Sequence, residues 1–100
     1  MKSKIKNPKS ISLMFPLYKD KRTVKSMILK SLKILKKTKK KFEIVIVDDG
    51  CPENSGKIAQ ELSKKNPKVR VYFHKKNLGY GAAVKTGLKN CRCDCIFATD

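Results

Sequence analysis

The chain is predicted to be an α/β protein, with a mostly parallel sheet flanked by helices in the order β-α-β-α-β-α-β. Three observations predict this. Ile44-Val-Ile-Val47 is a continuous apolar run rich in β-branched residues, the pattern of a strand buried on both faces inside a helix-covered parallel sheet. Short runs of this kind alternate along the chain with longer segments whose apolar residues recur at steps of three and four. The strand-like runs end in carboxylates or in loops of Gly, Asn and Pro, and the carboxyl ends of strands are where open α/β sheets bind ligands.

Taken in order, residues 1–10 form a basic lead expected to be flexible, and 11–100 form the folded part. Ser10-Ile-Ser-Leu-Met-Phe15 reads as the first strand, which Pro16 is expected to end because proline cannot donate to the ladder. Leu17-Tyr-Lys-Asp20 is then a loop at its carboxyl end. A helical pattern starts at Thr23, with Val24, Met27, Ile28, Leu32 and Leu35 on one face and lysines over the rest. The strand Glu43 to Asp48 follows, closing a β-α-β unit of right-handed crossover.

Cys51-Pro-Glu-Asn54 is turn material, and Ser55 suits the N-cap of a second helix carrying Ile58, Ala59 and Leu62. Asn66-Pro67 stops that helix, and Val69-Arg-Val-Tyr-Phe73 reads as a strand nearer a sheet edge. His74 to Gly81 is a glycine-containing loop into a third helix with Ala82, Ala83, Val84 and Leu88 available for packing. Cys95-Ile-Phe-Ala-Thr99 is the fourth strand, with Asp100 at its end.

One hundred residues make one small domain, short for a doubly wound fold, and the chain stops directly after an apolar segment. It is therefore expected to be the N-terminal part of a longer protein. The formal net charge of +17 suits nucleic acid, an anionic membrane or a phosphorylated ligand as partner. Only Arg22, Arg70 and Arg92 are arginines, however, whereas specific phosphate or base recognition favours the guanidinium. A solvated lysine coat is the preferred reading, and a non-enzymatic basic module binding nucleic acid or an anionic membrane is the alternative.

No apolar run approaches the ~20 residues of a membrane span. Ile11 to Phe15 is too short for a signal core and is broken by Pro16, so a cytoplasmic place is expected, with a peripheral position at the cytoplasmic membrane face left open. Cys91, Cys93 and Cys95 would share one face of an extended segment. Their spacing is not that of structural zinc sites, and free thiols are expected.

With parallel strands, one rim gathers Pro16, Tyr18 and Asp20, then Asp48 and Asp49, the Asn77 to Gly81 loop, and Asp100. Carboxylates placed there can accept hydrogen bonds from a base or ribose, or hold a divalent cation, and Tyr18 can stack on a base. Each residue also has a plainer role open to it, in turn capping or packing. Gly79-Tyr-Gly81-Ala-Ala-Val84 is a poor dinucleotide fingerprint, because Val84 replaces the glycine that permits close helix–strand packing. A phosphorylation receiver would carry its paired acids on the first strand, whereas here a full β-α unit precedes them.

Phe15-Pro-Leu-Tyr-Lys-Asp20, Ile46-Val-Asp-Asp-Gly-Cys51, Asn77-Leu-Gly-Tyr-Gly-Ala-Ala-Val-Lys-Thr-Gly87 and Phe97-Ala-Thr-Asp100 together resemble the N-terminal motifs of family 2 glycosyltransferases. Within that family the sequence is most similar to the branch of dolichyl-phosphate mannosyl- and glucosyltransferases. The resemblance implies the nucleotide-binding half of a Rossmann-like GT-A fold, binding a UDP- or GDP-sugar and, in the complete protein, transferring the sugar to an acceptor such as polyprenyl phosphate at a membrane. No nucleic-acid partner is expected on this reading.

It further implies that Pro16, Tyr18 and Asp20 surround the base. Val47 and Asp49 match the pair after the second strand, Asp49 hydrogen-bonding the base while Asp48 supports the loop. Asn77, Gly79 and Gly81 help build the sugar-nucleotide side of the cleft. Asp100 matches the first aspartate of a D-x-D motif that contacts ribose and a Mn²⁺ or Mg²⁺ ion; the second would fall at position 102. Lys19 and Cys51 stand where the family usually has Asn and Ser. No catalytic base is expected within these 100 residues, and the chain alone should bind nucleotide weakly without turnover.

Overall fold

The computed structural model describes residues 9–17, 23–50 and 55–98. Its elements are β1 (Ser10–Leu17), α1 (Val24–Lys37), β2 (Lys41–Asp49), α2 (Ser55–Lys65), β3 (Val69–His74), α3 (Tyr80–Asn90) and β4 (Cys95–Ala98). The four strands form one sheet in the order β3-β2-β1-β4, and every pairing is parallel. The predicted alternation of elements is therefore the observed one, with β3 at an edge.

Right-handed crossovers decide which face each helix covers. The chain steps in one direction from β1 to β2 to β3, which puts α1 and α2 on the same face. It then reverses to place β4 beside β1, which sends α3 to the opposite face. Alternation along the strands follows this division. Phe15, Leu17, Ile44, Ile46 and Val69 pack with Val24, Ile28, Leu32, Leu35 and Ala59 of the first two helices. The other face presents Ser12, Met14, Glu43, Val45, Val47 and Asp49 toward α3. Strand β2 is buried from Phe42 to Asp49, as its unbroken apolar run requires.

Two elements depart from expectation. Strand β1 does not end before Pro16 but continues to Leu17, with Pro16 opposite Val47. Among the described residues, the β1–β4 ladder runs to Met14 and Ala98. Cys91 and Cys93 precede β4 in a turn rather than lying on an extended run with Cys95, so the three thiols do not share a strand face. All three are free. Burial, with the Glu43 carboxylate nearby, pushes the Cys91 thiol up to about 11, which leaves it protonated and unreactive at neutral pH.

The close helix–sheet approach that Val84 denies is supplied one turn later by Gly87. This buried glycine sits against the side chain of Met14, itself fully buried. Beside β4, on the α1 side, Ile11, Leu13, Met27, Ile34 and Phe97 line an apolar groove of about 710 Å³. No described helix is long and apolar enough to cross a membrane. Replacing Gly87 with Val is expected to force α3 off the sheet and to cost about 1–3 kcal/mol of stability in urea unfolding, the usual range for overpacking; an unchanged midpoint would show that the contact is slack.

Candidate functional site

Parallel pairing brings the carboxyl ends of all four strands to one rim, as expected. The strand order reverses between β1 and β4, so the topological switch point, where open α/β sheets form their ligand crevice, lies beside Leu17 and Ala98. Residues 18–20 and 100 continue from those two ends. Tyr18, Asp20, Asp100 and Cys51 lie outside the described residues.

Asp48 and Asp49 are adjacent on one strand and therefore point to opposite faces. Asp48 faces α2, where its carboxylate and the Phe73 ring fill the space that a side chain at Gly56 would need. Asp49 faces the loop entering α3, and both acids are buried. Its Oδ1 accepts the Leu78 backbone N–H at 2.9 Å and His74 Nδ1 at 2.8 Å. Its Oδ2 accepts the Gly79 N–H and Asn77 Nδ2, each at 3.0 Å, and Asn77 Nδ2 also reaches the Asp49 carbonyl at 3.1 Å. Four donors fill the roughly four lone-pair positions of a carboxylate. Asp49 therefore holds the Asn77 to Gly79 loop.

The backbone here needs its glycines. Gly79 has φ +101° and ψ 162°, a conformation open essentially to glycine, and it directs its N–H at Asp49 just before the helix starts. Gly50 has φ +64°, and a Cβ there would overlap the backbone of Lys76 and Asn77. The strand tip and the loop are therefore in direct contact. Gly81 is exposed, with open space where a Cβ would lie, so the packing of the fold does not require a glycine there. Val47 is fully buried and shapes the site from beneath.

His74 was not anticipated. It ends β3, and while Nδ1 donates to Asp49, Nε2 lies 2.8 Å from the Thr86 hydroxyl, tying the strand end to the second turn of α3. The rule that singled out the acids at strand ends applies equally to this histidine. Burial alone would raise the Asp49 pKa, but the His74 hydrogen bond, the Leu78 and Gly79 amides and the charge of His74 outweigh it. The carboxyl is held below its ordinary 3.8. Among the described residues, no group of three His, Cys, Asp or Glu could hold a metal. With Asp49 saturated, the described part of the rim does not fit a divalent ion by itself.

A model of glycosyl transferase family 2 matches residues 12–100. The undecaprenyl-phosphate 4-deoxy-4-formamido-L-arabinose transferase of Pseudomonas savastanoi pv. phaseolicola is 29% identical over 94 residues, covering 92% of this chain and 28% of that protein. The human dolichyl-phosphate beta-glucosyltransferase is 30% identical over 99 residues, covering 92% and 31%. The chain thus spans between a quarter and a third of the length of these relatives. Among solved structures, the Pyrobaculum calidifontis mannosyltransferase PcManGT in complex with GDP-Man and Mn²⁺ matches with a TM-score of 0.75 at 14% identity, over 89% of this chain and 26% of that one. Staphylococcus aureus TarS 1-349 matches at 0.77 and 22%, over 91% and 27%. The fold is GT-A, as the motifs led us to expect.

Asp49→Asn should keep the shape of the site but turn an NH₂ toward existing donors, costing on the order of 1–3 kcal/mol at neutral pH. Because the folded pKa of Asp49 is depressed, its stabilisation is complete above about pH 3.8 and is lost as pH falls through the lower folded value. Urea unfolding at pH 7 and pH 3 should therefore show a smaller acid loss in Asp49→Asn than in the parent chain.

Proposed function

The chain belongs to glycosyl transferase family 2, and on that premise we propose that its carboxyl rim binds the nucleotide of a UDP- or GDP-sugar. The observation that carries this reading is that Asp49 holds the Asn77 to Gly79 loop at the carboxyl rim, one strand from the β1/β4 switch point. In the complete protein the sugar passes to polyprenyl phosphate, the acceptor class in the names of the bacterial and human relatives.

Within this reading Asp49 has two tasks. At rest it holds the loop and fixes the start of α3, whose N-terminal partial positive charge then lies along the rim and favours an anionic ligand. To read a base it must exchange one of its four donors. Asn77 is the exchangeable one, because it is an exposed residue while the other three donors are two backbone amides and the largely buried His74. A base N–H arriving at Oδ2 takes the place of the Asn77 amide and leaves the loop held by the rest.

Pro16 and Val47, paired across β1 and β2, form the floor on which the base rests, with Tyr18 and Asp20 around it. Gly79 and Gly81 let the ligand approach the backbone closely. Asp100 contacts ribose and is the ligand this chain offers to Mn²⁺ or Mg²⁺. When bound, that ion offsets the charge of the departing diphosphate as a Lewis acid.

Calorimetric titration of UDP and GDP with Mn²⁺ tests the proposal. Binding should be lost in Asp49→Ala, retained within about threefold in Asn77→Ala, since a weak exposed hydrogen bond contributes under about 1 kcal/mol, and unchanged by Lys30→Gln with Lys33→Gln. Absence of nucleotide affinity alongside steeply salt-dependent binding of DNA would overturn it.

A further inference from the structure

In each β-α-β unit the helix runs back against its strands, so all three helices end at the rim opposite the proposed nucleotide site. Each ends in lysine: Lys36 and Lys37 in α1, Lys64 and Lys65 in α2, Lys89 in α3. Cations there suit the helix dipoles, and exposed lysines alone would say no more. What distinguishes this rim is a concavity of about 340 Å³ at the amino ends of the first three strands, whose wall includes Ser10, Lys41, Glu43, Lys68, Arg70 and Arg92.

The acid in this pocket is already spent. Glu43 Oε1 is paired with Arg70, and Oε2 accepts the Ser12 hydroxyl at 2.5 Å and the Arg92 backbone N–H at 2.6 Å. Burial would raise its pKa, yet these donors and the Arg70 charge hold it below its ordinary 4.5, so it stays ionised and internally compensated. Arg70 is consumed as well, by Glu43, the Tyr72 hydroxyl and the Asn90 carbonyl at 2.8 Å.

The remaining charges are unbalanced. Among the described residues the side chains of Lys41, Lys68 and Arg92 meet no carboxylate, and Lys68 lies 4.4 Å over the Phe42 ring. Ser10 Oγ accepts the Asp94 N–H at 2.9 Å, which leaves its own proton to donate. Asp94, exposed in the same turn, is not part of the pocket wall. Three cations and a hydroxyl donor thus surround a cavity whose single carboxylate accepts nothing further from a cation.

We propose that this pocket is a second anion site, on the rim opposite the nucleotide, which takes a phosphate group through Lys41, Lys68 and Arg92 with the Ser10 hydroxyl as an additional donor. The group can come from a free phosphate-bearing molecule or from a lipid headgroup.

Inorganic phosphate and pyrophosphate titrated into the full chain at constant ionic strength, followed by backbone amide NMR, should give saturable shifts at Ser10, Lys41, Lys68 and Arg92 while Leu78 and Gly79 stay still. In a parallel arm, phosphatidylglycerol vesicles that broaden the same amides, where phosphatidylcholine vesicles do not, would identify the headgroup as the source. Lys68→Glu with Arg92→Glu should weaken binding about tenfold or more, the scale of one lost charge-assisted hydrogen bond. The milder Lys68→Gln with Arg92→Gln guards against misfolding, and Lys30→Glu with Lys33→Glu should leave binding unchanged. Shifts that never saturate, spread over all surface lysines or survive the double substitutions would overturn the assignment.

Discussion

The structure of the candidate site depends on one carboxylate. Asp49 is an ion at the buried end of a central strand, and such a charge is tolerated only when its desolvation is offset by donors. His74, Asn77, Leu78 and Gly79 provide them, and in doing so they fix the end of β3, the loop and the first residue of α3 relative to β2. Positive φ at Gly50 and Gly79 is the conformational cost of bringing strand tip and loop so close. A rim that must hold a base and a diphosphate in one orientation needs this rigidity before any ligand arrives, since ordering a loop during binding subtracts from affinity.

A second buried carboxylate plays the matching part at the opposite rim. Glu43 draws together Ser12 of β1, Arg70 of β3 and the turn after α3, contacts that cross 27 to 49 residues of sequence. Both acids lie on the α3 face of β2, six residues apart, while the other face packs an apolar cluster against α1 and α2 with Asp48 at its end. The sheet is thus held by hydrophobic packing on one side and by two polar hubs plus the Met14–Gly87 contact on the other. This division explains why α3, shorter than α1 and burying only the small residues Ala83 and Gly87, still has a defined position.

Much of the architecture was legible because it rests on local pattern. The two-sided burial of β2 is written in Ile44 to Val47, the helical faces in the spacing of Val24, Ile28, Leu32 and Leu35, and the rim in the habit of ending strands with acids. Illegible were the features decided by partners distant in sequence. Nothing local tells that β1 runs on through Pro16, because that rests on its pairing with Val47 on a distant strand. Nor does the Asp48-Asp49 pair reveal which member holds the loop, since that follows from the face each occupies and from residues 25 to 30 positions later. Glu43, Arg70 and Ser12 looked like ordinary strand polarity until the register placed Ser12 opposite Glu43.

The order of the rim requires Asp49 to be ionised and bonded to the amides that open α3. Proton NMR of the Leu78 and Gly79 amides across an acid titration tests this most directly, because an amide bonded to a carboxylate shifts when that carboxylate takes its proton. Both amides should move together with one midpoint below 3.8. Amides that do not respond, or that follow a midpoint at or above that value, would contradict it.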